Sequence, residues 1–350
     1  MIDAQDVAPP TRSTARSSSA LRTGGGPLVL GHRGAPGYRP ELTRASLLLA
    51  IEQGADALEI DVVPTRDGVL ILRHDRDLAD TTDVARHREL RDRHRPRSGG
   101  RRAWFADDLD WAEVATLRAR ERMPRVRPGS AAHDGEEGVL RLPEALEIAA
   151  QADVMLVIEI KDALALAERG LDPVPLVRAD LARAPRLPRI VFESFQKTAL
   201  LGLADLPFPL VYLLEPLGTA PDEVREGPLA RSYRQELADP RALAGFDGLS
   251  LPSSRVTPQR VAQLHDLGLA VWTWTLRPEN RFLPARFRDT GPRGGFGLWE
   301  AHWASVMEAG VDGVFTDHPD LTLAIRREVA PALAAVRPPV RSRRPVPAAR

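Results

Sequence analysis

Eight short apolar runs, separated by stretches with helical spacing, restrict this chain to an α/β architecture. They are Leu28-Val29-Leu30, Ala57 to Val63, Val154 to Ile160, Arg189 to Phe195, Leu210 to Leu214, Gly248 to Leu251, Ala270 to Thr275 and Gly313 to Thr316. Nearly continuous apolar runs of this length are what parallel strands buried on both faces require. Between the first two runs, Thr43 to Gln53 has helical apolar spacing, with Thr43 placed as N-cap and Gly54 as the residue that ends the helix. Strand and helix alternating eight times predict a closed (β/α)8 TIM barrel. An open doubly wound sheet would carry a Gly-x-Gly-x-x-Gly turn after its first strand, and none follows Leu30. At 350 residues and 43% hydrophobic content, length alone allows one barrel or two smaller domains, so the repeating pattern makes the choice.

A ninth apolar run, Val69 to Leu72, follows the second after only Thr65-Arg66-Asp67-Gly68. A parallel crossover needs a dozen or more residues, whereas Asp-Gly is a strong two-residue hairpin signal, so this run is expected to fold back antiparallel. With Asp67-Gly68 as the loop, counting back along the ladder sets Asp61 opposite His74. From about Asp80 to Leu140 the pattern breaks into charged, Arg-rich sequence. This predicts a subdomain inserted between the hairpin and a helix Pro143 to Gln151, with one helix of its own around Leu109 to Arg120. Insertions at the C-terminal face of a barrel usually shape the substrate mouth.

The ends differ from the middle. Residues 1–26, rich in Ser, Thr, Ala and Arg and closing on Gly24-Gly25-Gly26, read as a disordered arm, and residues 331–350, Pro- and Arg-rich without an acid, as a second tail. The tail is either a solvated end or a basic patch for an acidic partner. The barrel domain is therefore expected over 27–330. Lys+Arg and Asp+Glu both number 48, which argues against a general nucleic-acid binder. With no cysteine, disulfides, thiolate nucleophiles and thiolate-bound zinc are excluded. No run approaches the roughly 20 apolar residues of a membrane span, and the first 26 residues hold no apolar signal-peptide core. The chain as written is expected in the cytoplasm, or exported should the true start lie upstream. Its sequence says nothing of oligomeric state.

Barrel sites lie at the C-terminal ends of the strands, so the polar residues ending each run carry the functional reading. The first run ends in His32-Arg33, the second in Glu59-x-Asp61, the hairpin return in His74-Asp75 and the third barrel strand in Glu159-x-Lys161. Residues i and i+2 share a face of a strand, which groups Glu59 with Asp61 and Glu159 with Lys161. Glu59, Asp61 and Glu159 would repel one another unless salt-bridged or joined by a cation. An all-oxygen set suits Ca²⁺, with Mg²⁺ as the alternative. Arg33 and Lys161 supply the charge a phosphate needs, and His32 and His74 titrate near working pH as acid and base. His87, His94, His133, His265 and His302 have no such context and are expected in solvent.

Gly31-His32-Arg33-Gly34, Pro40-Glu41-x-Thr43, Glu59-x-Asp61, Thr65-Arg66-Asp67-Gly68 leading to His74-Asp75, Glu159-x-Lys161, Trp272-Thr273-Trp274-Thr275 and Asp312 to Asp317 together resemble the glycerophosphodiester phosphodiesterase family. The resemblance covers about residues 28 to 328. Leu117 to Arg122 and Arg277 to Pro284 are similar to its longer bacterial branch, often exported and Ca²⁺-dependent. It implies that His32 and His74 are the acid and base, that Glu59, Asp61 and Glu159 hold the metal, and that Arg33 and Lys161 meet the phosphate of a small glycerophosphodiester. Glu41 matches an acid at the edge of the site. Phe195 and Trp274 pack on the glycerol side of the substrate or only within the barrel. Leu42 departs from a position that is often Asn or His, and His318 from one that is commonly aromatic. Competing readings are a lysophospholipase D-type activity at the same site, a Schiff-base aldolase using Lys161, and a barrel that binds phosphodiesters without turning them over.

Overall fold

The computed structural model describes residues 18–336 apart from 24, 97–100, 220–230, 240–242 and 244. In chain order its strands are β1 (Leu28–His32), β2 (Ala57–Pro64), β3 (Leu70–Leu72), β4 (Arg95–Pro96), β5 (Arg102–Ala103), β6 (Met155–Ile160), β7 (Ile190–Ser194), β8 (Leu210–Leu213), β9 (Gly248–Pro252), β10 (Ala270–Leu276) and β11 (Gly313–Thr316). Eight of them, β1, β2, β6, β7, β8, β9, β10 and β11, pair in parallel in that order, and β11 returns to β1 to close the barrel. Each coincides with one of the eight apolar runs, because strands buried on both faces leave no polar alternation to obscure them.

Side chains from alternate positions fill the barrel. Leu30, Met155, Val157, Val211, Trp272 and Phe315 form an apolar floor, and the Trp272 indole donates to the Leu21 carbonyl at 3.1 Å. The other strand face packs against the surrounding helices, including Arg44–Glu52, Leu142–Ala152, Pro173–Arg183, Trp299–Glu308 and Pro319–Val336. Thr43 caps the first of these, its hydroxyl accepting from the Ser46 N–H at 3.1 Å, and Gly54 follows just beyond its end. Among the described residues no helix is long and apolar enough to cross a membrane.

Both expected tails give residues to the fold. Ser18–Leu21 forms a 3₁₀ turn whose Leu21 is fully buried under the barrel floor, so the expectation of disorder as far as residue 26 is corrected there. The last helix runs to Val336 and buries Leu333, which moves the start of the expected second tail beyond 336. Residues 1–17 and 337–350, which hold the rest of both tails, lie outside the described residues.

The hairpin forms, but with a different loop. Thr65 N–H donates to the Val69 carbonyl at 2.9 Å and Gly68 N–H to the Thr65 carbonyl at 3.0 Å, so three residues, Arg66-Asp67-Gly68, make the turn. Gly68 sits at φ +80°, the left-handed position that such a three-residue loop gives to glycine. Thr65 rather than Arg66 therefore pairs with Val69, and Asp61 lies opposite Arg73, whose N–H reaches the Asp61 carbonyl at 3.1 Å. The expected pairing of Asp61 with His74 is off by one residue, a slip that exchanges the two faces of a strand. His74 reaches the mouth because β3 stops at Leu72 and frees the chain from the ladder.

The insertion has its own small core. Leu78, Val84, Leu90, Trp104, Leu109 and Leu117 pack on Val63 and Ile71 of the hairpin. The expected helix over Leu109 to Arg120 is only Trp111–Val114. Its continuation is diverted because the backbone of Arg118, Ala119 and Arg120 hydrogen-bonds across to Asp83, Glu137 and Thr81.

Candidate active site

The loop that leaves β1 is pinned at every residue. Arg33 adopts a left-handed conformation at φ +58°, and its N–H is shared between the Glu59 carbonyl at 3.0 Å and Glu59 Oε2 at 2.9 Å. At Gly34, φ +89°, a Cβ would stand 2.5 Å from the Ser46 carbonyl carbon, so only glycine lets the loop lie on the start of the first helix. Ser46 Oγ then donates to the Arg33 carbonyl at 3.0 Å and accepts from the Ala35 N–H at 2.9 Å. This fixes the direction in which His32 and Arg33 leave the backbone.

Two imidazoles face one cavity of about 350 Å³, and each is tied through Nδ1 to a carboxylate. His32 Nδ1 lies 2.7 Å from Asp317 Oδ1, and His74 Nδ1 lies 2.7 Å from Asp75 Oδ1. With Nδ1 engaged, each ring has Nε2 left for the cavity. Burial, helped by Arg33 and opposed by Asp317, pushes His32 down to about 4. His74 is also lowered, by burial and by Arg33 and Lys161. Both rings therefore favour the neutral form near pH 7.

Glu59, Asp61 and Glu159 are buried and each offers an oxygen, all within 4.8 Å of one another. Carboxylate oxygens on one Ca²⁺ stand about 2.3–2.6 Å from it, so two of them lie at most about 5 Å apart. The trio fits a hard divalent cation by span and by donor chemistry. Glu159 and Glu193 are aligned on adjacent strands, and Glu193 is 2% exposed with its Oε2 lacking a hydrogen bond. Burial, then the charge of Asp61, raises Glu59 well above the carboxylate range, and burial with Glu59 and Glu159 does the same to Glu193. For Asp61, burial acts in the same sense but Lys161 and Arg33 outweigh it and hold the group ionised. So much buried carboxylate is costly without added positive charge.

Two cations border the trio. Lys161 Nζ lies 2.6 Å from Glu159 Oε1 and 3.1 Å from Asp61 Oδ1, while Arg33 Nε lies 3.0 Å from Asp61 Oδ2. Burial opposes the Lys161 charge, but Asp61 and Glu159 raise it above the ordinary lysine range. Glu41 anchors Arg33 at 3.2 Å from the opposite side. Phe195 and Trp274 meet edge to face with centroids 5.9 Å apart on the same cavity, and Lys161 Nζ is 5.7 Å from the Phe195 ring.

The model of the glycerophosphoryl diester phosphodiesterase family matches residues 32–321. The chain belongs to that family. Glycerophosphodiester phosphodiesterase GDPD6 of Arabidopsis thaliana is 27% identical over 329 residues, covering 83% of each chain. Among solved structures, a glycerophosphoryl diester phosphodiesterase from Silicibacter pomeroyi is 27% identical with a TM-score of 0.67, covering 90% of this chain and 99% of its own. A phosphodiesterase from Oleispira antarctica, in complex with the product sn-glycerol-3-phosphate, has a TM-score of 0.62, covering 89% of this chain and 99% of its own. At 23% identity that second likeness speaks for the fold. Membership makes the chain a phosphoric diester hydrolase on a TIM barrel.

As a member of the glycerophosphoryl diester phosphodiesterase family, the chain brings all of its expected site residues to one mouth. His32, Arg33, Glu41, Glu59, His74, Glu159, Lys161, Phe195 and Trp274 border a single cavity, and Asp61 lies beneath it between Arg33 and Lys161. Three contributors escape a reading of the sequence. Arg122 and Arg127 come from the aperiodic insertion, and Glu193 from the middle of an apolar run, where only the alignment with Glu159 marks it. One histidine expected in solvent is not there: His302 is buried against Phe287, while His265 stays partly exposed with Nε2 2.7 Å from Asp312 Oδ2.

Both departures from the family pattern have a physical setting. Leu42 sits at φ +57°, a left-handed conformation that suits Asn, and offsets the strain by full burial in the main core. His318 keeps an aromatic face, packing edge-on to Tyr38 at 5.0 Å and Phe296 at 5.5 Å.

Proposed function

We propose that the chain hydrolyses glycerophosphodiesters to an alcohol and sn-glycerol 3-phosphate, with His32 and His74 moving the protons and Glu59, Asp61 and Glu159 holding Ca²⁺, or alternatively Mg²⁺. The observation that carries this reading is the pair of carboxylate-anchored imidazoles facing one cavity that also holds the acidic trio and two cations. A divalent cation in the trio would polarise the phosphoryl oxygens. Arg33 offers a planar fork and Lys161 a point charge to the non-bridging oxygens, whose charge grows in the transition state. In-line displacement puts nucleophile and leaving group on opposite sides of phosphorus, which calls for two proton carriers rather than one. His32, kept neutral by burial, suits the proton acceptor at the start of the cycle. His74 would supply the leaving alkoxide with its proton from the imidazolium form, in which Nε2 also carries a hydrogen and which Asp75 at Nδ1 favours. Phe195 and Trp274 offer apolar rings to the glycerol side of the substrate.

The Schiff-base alternative runs against the electrostatics of the site. Such a lysine must be neutral to attack a carbonyl, whereas Asp61 and Glu159 favour the Lys161 ammonium. The test is product analysis with purified chain, Ca²⁺ or Mg²⁺, and glycerophosphocholine, glycerophosphoethanolamine or lysophosphatidylcholine. Release of sn-glycerol 3-phosphate from the first two is expected. Turnover confined to lysophosphatidylcholine would transfer the assignment to the lysophospholipase D-type reading. No turnover with any diester would overturn both.

A further inference from the structure

The insertion touches the chemistry through one short segment. Residues 122–127 begin and end with arginine, and each arginine grips the far oxygen of a carboxylate that holds a histidine. Arg122 Nη1 bonds Asp75 Oδ2, while Asp75 Oδ1 holds His74. Arg127 Nη2 lies 2.6 Å from Asp317 Oδ2, while Asp317 Oδ1 holds His32. The same His–Asp–Arg sequence of contacts thus occurs twice, with its last member drawn from the same strap of chain.

We propose that Arg122 and Arg127 are positioning residues through which the inserted subdomain fixes both proton-carrying histidines at once. This rests on the reading of His32 and His74 given above. Neither guanidinium has its Nε–Nη2 edge free to serve as a phosphate fork. All three nitrogens of Arg122 already face carboxylates, Nη2 lying 2.7 Å from Glu41 Oε1 and Nε 3.0 Å from Glu41 Oε2. Arg127 is 6% exposed and spends Nε on Glu279 Oε1 at 2.6 Å. The strap itself is stiffened. Glu121 accepts from the Met123 N–H at 2.8 Å and from Ser130 Oγ at 2.6 Å, and the Val126 and Arg127 N–H groups both return to the Met123 carbonyl. A carboxylate held on one oxygen keeps its other oxygen at a fixed angle to Nδ1, which selects the Nδ1–H tautomer and leaves Nε2 toward the cavity.

The two relays are unequal. Asp317 is held by Arg277 Nε as well, also at 2.6 Å, whereas Asp75 has Arg122 as the one arginine bonded to it among the described residues. Loss of Arg122 should therefore disturb His74 more than loss of Arg127 disturbs His32.

The experiment uses the full chain as wild type, Arg122→Ala, Arg122→Lys and Arg127→Ala. Histidine-ring ¹⁵N spectra of the free protein report each tautomer without any substrate. The fixed Nδ1–H signature of His74 should be lost in Arg122→Ala while that of His32 persists, with a smaller converse change in Arg127→Ala. With glycerophosphocholine, Arg122→Ala should lower kcat about 10–100-fold with KM little changed. Arg122→Lys and added guanidinium ion should each restore part of it. An unchanged His74 ring spectrum in Arg122→Ala, or a rise in KM alone, would overturn the proposal. Should Arg127→Ala not fold, the partly exposed Arg122 still decides the matter. Absence of turnover by the wild type would sink the phosphodiesterase reading, and the ring spectra would then judge the positioning role by themselves.

Discussion

The floor and the mouth of the barrel are built from the same inward-facing strand positions, yet one is apolar and the other charged. Up β1 the sequence runs Leu28, Leu30, His32, and up β2 Ala57, Glu59, Asp61. Up β6 it runs Met155, Val157, Glu159. Two residues along a strand advance about 6.6 Å, so the change from packing to chemistry occurs within a single layer. Among the described residues the one side-chain hydrogen bond of the floor runs from Trp272 to Leu21, whereas the mouth sets Arg33 against Asp61 and Lys161 against both Asp61 and Glu159. Stability and chemistry should therefore separate cleanly when each layer is altered alone.

The largest effect belongs to the mouth. His32→Ala or His74→Ala should reduce kcat about 10²–10⁴-fold while the denaturation midpoint stays close to wild type. Steady-state kinetics beside a urea titration reads both. Parallel collapse of stability would break the separation. In the floor, Trp272→Ala should cost about 3–5 kcal/mol of stability, with the folded fraction still turning over at a near-normal rate. A large kcat loss at full folding would show that the two layers are coupled.

Three buried histidines, His32, His302 and His318, are pushed down to about 4 by burial. In the unfolded chain they titrate near 6.5. As pH falls from about 6.5 to about 4, the unfolded state therefore takes up protons that the folded state refuses, and each histidine lowers stability across that window. Nothing is lost from this source above it. His318→Phe removes one of the three and should flatten the decline, seen by comparing urea midpoints of variant and wild type at pH 7.5 and 5. An equal decline in both would show that His318 does not contribute. The smallest effect is expected far from both layers. Arg66→Ala breaks a half-exposed pair with Asp110 and should leave the urea midpoint close to that of the wild type.

The legibility of the sequence follows the same division. All eight strands were readable because burial on both faces writes an uninterrupted apolar run. The mouth was readable where a polar residue ended such a run, as at His32, Asp61 and Lys161. Glu193 was missed because it lies inside a run, and a register is needed to bring it level with Glu159. The hairpin was recognised from Asp67-Gly68, but its register was not, since the same dipeptide also fits a three-residue loop with Gly68 at positive φ. No role could be read for Arg122 or Arg127, although the family resemblance takes in Leu117 to Arg122. They sit in a segment with no period, and their partners Asp75 and Asp317 lie 47 and 190 residues away. His302 illustrates the converse error, a histidine judged exposed for want of a motif and buried against Phe287.

The most direct test of the central claim is turnover of glycerophosphocholine by chain stripped with EDTA and then titrated with Ca²⁺. The account predicts no sn-glycerol 3-phosphate in EDTA, recovery as one cation binds per chain, and no recovery in Asp61→Asn at the same concentrations. Full turnover in EDTA, or equal recovery in Asp61→Asn, would contradict it.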